Sequence, residues 1–174
     1  MNTFFTLCIA GIITNSVGIA FDLFILNIIG SLLTAIGACK LPLEGTTIKK
    51  ARRYAYISVP FSVVAFILTF ASSPEIARDI ACIQLAINTF FYIYFTYYFS
   101  ESLINHAQNI HELAITRNFR SVWTMCGIIA FAYFLIYSAL IPSIVMIAKA
   151  VLLIGAMYYC FTIYNASKLL ILKK

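Results

Sequence analysis

Residues 17–39 read VGIAFDLFILNIIGSLLTAIGAC. About 20 apolar residues wound into a helix at 1.5 Å each cross the roughly 30 Å of a bilayer's hydrocarbon, so this run is a membrane-span candidate. We read Val17–Cys39 as the first span, with Asn15 and Ser16 as N-caps. The preceding stretch, Asn2–Thr14, is too short to cross as a helix and is expected to lie in the interface or to lengthen the first helix, with a separate short span as the lesser alternative. The run holds one charge, Asp22. A carboxylate at that depth costs at least a few kcal/mol and is a functional candidate by default. In the same run Asn27, Gly30, Thr34 and Ala38 fall at helical spacing as a small-residue stripe, the pattern that lets two backbones approach closely.

Working outward, the loop KLPLEGTTIKKARR (40–53) breaks helix at Pro42 and Gly45 and then turns basic. Further apolar runs give spans over 54–71, 76–99, 122–141 and 142–165. The stretch SSPEIARD (72–79) carries a helix start, with Ser73 as cap, Pro74 at the first helical position and acids in the first turn. A polar segment over 100–121 separates the third and fourth spans and has the spacing of an amphipathic cytoplasmic helix. Pro142 marks the turn into the last span. The expected fold is an all-α integral membrane bundle of about five transmembrane helices, forming a single domain over residues 1–174.

Composition agrees. The 174 residues are 63% hydrophobic and 10% charged, against about 25% charged in soluble domains, so a soluble surface cannot be assembled. With five spans and the N-terminus outside, ten of the twelve Lys and Arg residues fall on the inner side, next to span ends. The C-terminus is then inside. The net charge of +6 is therefore read as a signal for orientation and lipid headgroups, not nucleic acid. The N-terminus lacks the basic start of a cleaved signal peptide. The five cysteines are scattered without a CxxC pair, so neither a disulfide framework nor a zinc site is expected; Cys8 and Cys82 are the one pair weighed for a bridge.

Four tyrosines crowd FFYIYFTYYF (90–99), and nine of the eleven in the chain collect toward the inner face. Tyr94, Tyr97, Tyr98, Tyr158 and Tyr159 are read as interfacial aromatics, since a phenol has an apolar ring and a wet tip. The polar groups inside the spans are few: Asp22, Asn27, Gln84, Asn88 and Lys149. Asp22 and Lys149 fall at similar depth, so the geometry allows a salt bridge between them, one that would fix packing, without deciding whether they pair; the three amides are read first as helix glue and second as ligand contacts. HELAI (111–115) lacks the second His of HExxH, and His106 and His111 are poorly spaced for one metal. No nucleophile elbow, P-loop or dinucleotide turn occurs, so no catalytic residue, metal or cofactor is expected. A shift of 68 residues superposes Pro74 on Pro142 and Arg52 on Arg120, a faint internal repeat.

The order of span, KLP-type loop, KKARR and a later HELA…FRSVW stretch resembles small, uncharacterised multi-pass membrane proteins of Gram-positive anaerobic bacteria. The resemblance covers about the middle half of the chain. It implies a bacterial cytoplasmic membrane and brings no activity with it. The function expected from these residues is a non-catalytic membrane subunit, sensor or regulator acting through helix packing, with membrane lipid and a membrane-protein partner or second copy as its contacts. A small transporter or lipophilic-ligand binder using the polar layer is the alternative, and an intramembrane enzyme the third.

Overall fold

The computed structural model describes residues 3–71, 74–109, 113–138 and 142–172. They form α1 (Thr3–Phe21), α2 (Phe24–Lys40), α3 (Thr46–Ala71), α4 (Pro74–Asn109), α5 (Leu113–Ser138) and α6 (Pro142–Leu172), and no strand occurs among them. Each helix packs on the next in sequence, α6 returns to α1 to close the ring, and α4 reaches α1 across the interior. Five helices (α1, α3, α4, α5 and α6) are long and apolar enough to cross a membrane; α2, with 17 residues, is a shorter apolar helix.

The expected single helix over Val17–Cys39 is instead two. The chain reverses at Asp22, whose φ of 56° lies in the left-handed region. Leu23 N–H donates to Gly18 O at 3.0 Å, the bond that closes a Schellman helix end, and Leu23 O then accepts from Leu26 N–H at 2.9 Å to start α2. Glycine usually takes this position; Asp is among the few other residues that tolerate it. The stretch Asn2–Thr14, expected in the interface or as an extension of the first helix, instead supplies, from Thr3 onward, most of a separate helix, α1.

The small-residue stripe of α2 explains why the hairpin closes so tightly. A Cβ placed on Gly30 would lie 2.6 Å from Asn15 N, and one on Gly11 would lie 2.6 Å from Thr34 N. The two backbones touch there, with no room for a side chain between them. Asn27, Thr34 and Ala38 are buried in the same contact face.

One consequence is geometric. An even number of antiparallel helices puts the start of α1 and the end of α6 at the same end of the bundle, not at opposite ends as expected. That end also holds Lys40, Lys49, Lys50, Arg52, Arg53, Arg117, Arg120 and Lys168, and we call it the basic end. The hairpin leaves the charge division intact because no Lys or Arg precedes Lys40. Charge placement therefore carried no information about a reversal at Asp22.

At the basic end Arg52 ties α3 to the link that precedes it. Its Nε donates to Ala38 O at 2.9 Å, and one terminal nitrogen donates to Leu41 O at 2.8 Å and Leu43 O at 3.2 Å. Ala38 O is a carbonyl that the end of α2 leaves unpaired, while Leu41 is the C-cap and Leu43 lies in the link beyond it. The polar segment expected over 100–121 is not a separate helix: α4 continues to Asn109, and Leu103, Ile104 and Ala107 belong to the core. The Ser73 cap, Glu75, His111, Glu112, Lys173 and Lys174 lie outside the described residues or side chains.

The core mixes small and aromatic groups, with Cys8, Ile12, Phe99, Tyr133, Tyr159 and Ile163 almost fully buried. The outer faces are apolar. On α2, Ile25, Ile29, Leu32 and Ile36 make an exposed stripe, and on α6 Ile147, Val151, Ile154 and Phe161 make another. An apolar exterior around a partly polar interior reverses the soluble pattern.

Candidate functional site

The polar groups named from sequence separate into two places. The first is the hairpin tip, at the end opposite the basic residues. Asp22 stands in the two-residue link, not on a helix face. Its carboxylate accepts a hydrogen bond from the Tyr137 hydroxyl of α5 and is attracted by the Lys149 ammonium of α6. Lys149 also lies over the Phe21 ring, its Nζ 5.7 Å from the centroid, so its charge is shared between a carboxylate and an aromatic face. Beside them the Tyr133 hydroxyl donates to Ile19 O at 3.3 Å. The tip of the α1–α2 hairpin is thus fastened to α5 and α6 by a small polar cluster, of which the sequence pointed to Asp22 and Lys149 but not to Tyr133 or Tyr137.

The second place is a polar seam between α1, α2, α3 and α4. Ser31 of α2 and Ser62 of α3 meet at 3.4 Å, and Ser62 and Ser58 return bonds to their own helix at Ser58 O and Ala55 O. Ser16 of α1 shares a hydrogen bond with the Tyr92 hydroxyl of α4. Between them lies a cavity of about 10 Å³ lined by Asn15, Ser31, Thr34, Ser58, Asn88 and Tyr92, among others. A cavity of that size holds about one water.

Asn27 and Gln84 are deeply buried, at 2% and 3% exposure, yet Asn27 Oδ1 and both polar atoms of Gln84 have no partner. An unpaired buried polar group costs about 1–3 kcal/mol. Asn88, four residues from Gln84 on the same face of α4, lines the cavity. One helical turn from the seam, at Asn27 before Ser31 and at Gln84 before Asn88, the interior thus carries hydrogen-bonding capacity that no described side chain uses. Ser58 and Ser62, also four apart, are a signal legible on α3 in the sequence, though serine is common enough in membrane helices to hide such a pair.

Tyr92 of the tyrosine-rich stretch lines the seam cavity, while Tyr94, Tyr97 and Tyr98 pack against α3 and α5. Tyr54 of α3 stacks on Tyr94 and Tyr98 with ring centroids 5.2 and 5.6 Å apart, and Tyr97 meets Trp123 of α5 at 4.8 Å. Lys50 caps this ladder with its Nζ 5.2 Å from the Tyr98 ring centroid. Tyr94, Tyr97 and Tyr158 are exposed. Tyr159 stands apart from them: it is fully buried, donates to Thr96 O at 3.0 Å and meets Ser100 Oγ at 2.7 Å.

Among the described residues no three His, Cys, Asp or Glu side chains gather as a metal site. The five thiols are free, and Cys8 packs against Gly37 near the basic end while Cys82 lies in the opposite half of α4. No protein-family model, curated protein or solved structure matches the chain.

Proposed function

We propose that this chain is a multi-pass protein of a bacterial cell membrane, with its basic end, and so the start of α1 and the end of α6, facing the cytosol. We further propose that it acts as a non-catalytic subunit or regulator through helix packing. The observation that carries the reading is the tight polar seam: the cavity within it has room for about one water. A seam so filled has no space for a substrate, while the exposed stripes on α2 and α6 are free to meet lipid or another helix. A photo-crosslinking residue at Ile29 or Ile154, activated in native membranes, is expected to give one adduct of defined mass. Crosslinking to lipid alone from both stripes would sink the subunit reading.

A second reading, a small transporter, rests on the unpaired Gln84 and Asn27 atoms, which suit a polar solute passing through the seam. Proteoliposomes that swell faster with the wild type than with Gln84→Leu in osmotic assays would favour it.

A further inference from the structure

The basic end of the α5–α6 pair carries cations that neither helix neutralises. Arg117 and Arg120 lie one turn apart on α5, both exposed. The bond from Cys126 Sγ to Gly155 O, at 3.2 Å, fixes the register of the antiparallel pair. Counting equal steps toward the basic end sets Arg120 level with Phe161 and Arg117 level with Tyr164. Lys168 follows one turn on, its Nζ 4.2 Å from the Tyr164 ring centroid. Neither α5 nor α6 contains an Asp or Glu.

A shallow, open groove runs along this face of α5, lined by Arg117, Arg120, Ser121, Thr124, Met125 and Ile128 with Thr116. Its chemistry is graded. Two guanidiniums and hydroxyl groups stand at the basic end, and exposed apolar side chains follow toward the middle of the helix. A guanidinium fork fits a phosphate with two parallel hydrogen bonds. Neither helix adds a carboxylate of its own to attract the ammonium of a zwitterionic headgroup.

We propose that this groove binds one anionic phospholipid, its phosphate between Arg117 and Arg120 and one acyl chain along Met125 and Ile128. The proposal rests on the membrane reading above. Each basic group near an anionic headgroup adds several-fold to affinity, so two give a preference of about tenfold or more. The test is native mass spectrometry of the full chain in detergent doped with phosphatidylglycerol or phosphatidylcholine of identical acyl chains. Retention of phosphatidylglycerol is expected to exceed that of phosphatidylcholine by about tenfold. R117Q/R120Q should remove the preference, and K49Q/K50Q, at the same end but on α3, should keep it. Equal retention of the two lipids by the wild type, or equal loss in K49Q/K50Q, overturns the site. A chain that stays dissolved without detergent overturns the membrane reading instead, and the site with it.

Discussion

Asp22 has two tasks that substitutions can separate. Its backbone sits at a φ of 56°, and its carboxylate binds Tyr137 and attracts Lys149. Asn tolerates the left-handed region nearly as well as Asp, whereas a β-branched residue does not. Asp22→Asn should therefore cost only the charge, and Asp22→Val should cost both the charge and the turn. Melting in detergent is expected to rank wild type above Asn and Asn above Val; Val equal to Asn would show that the turn conformation carries no weight. Gly30 tests the hairpin contact. A side chain there meets the Asn15 backbone, which cannot swing aside as a side-chain end can. Gly30→Val should destabilise by about 2 kcal/mol or more, lowering Tm by roughly 5 °C or more for a chain of this size. Gly127→Ala is the control: its Cβ would find the Trp123 ring at 3.7 Å, an ordinary contact. It should be neutral or stabilising by up to about 1 kcal/mol.

At the scale of helices, the link between α2 and α3 depends on Arg52. Lysine keeps the charge but not the fork that reaches Ala38, Leu41 and Leu43 together. Arg52→Lys should weaken that tie by about 2 kcal/mol. Amide hydrogen exchange over 40–46 would rise, with the core of α5 unchanged; unchanged exchange in the link would mean that the loop holds itself. The same scale shows what the sequence could and could not disclose. The starts of α4 at Pro74 and α6 at Pro142 follow from proline's fixed φ and missing N–H, and they were readable. The reversal at Asp22 was not. Its defining bond, Leu23 N–H to Gly18 O, needs a rare backbone state that no neighbouring glycine or proline announces. The amides Asn27, Gln84 and Asn88 could be picked out singly, because polar groups are scarce in apolar runs. That Ser31 meets Ser62 across two helices required knowing that α1 and α2 fold back together.

For the whole molecule, the hairpin decides where the chain begins. With six helices in alternating directions, residues near Thr3 and near Lys168 share one end. Thr3→Cys and Lys168→Cys should both gain labelling by a membrane-impermeant thiol reagent only after cells are opened, measured over the wild-type background. Labelling of Thr3→Cys in intact cells would restore a first helix that crosses alone and discard the paired arrangement. The interior is divided as well. The seam among α1–α4 is rich in hydroxyl and amide groups, while α5 and α6 bury Cys126, Tyr133 and Cys160 and α6 inserts Tyr159 between Thr96 and Ser100 of α4. Tyr159→Phe removes one strong donor from that contact and should cost about 1–2 kcal/mol, read as a fall in Tm. The two-residue link between α1 and α2 also bears on how the chain is made. So short a tether gives the first helix no slack to settle while the second is still inside the ribosome. Nascent chains arrested before Lys40 emerges should therefore remain open to protease, and protection should come in one step once the pair is released together.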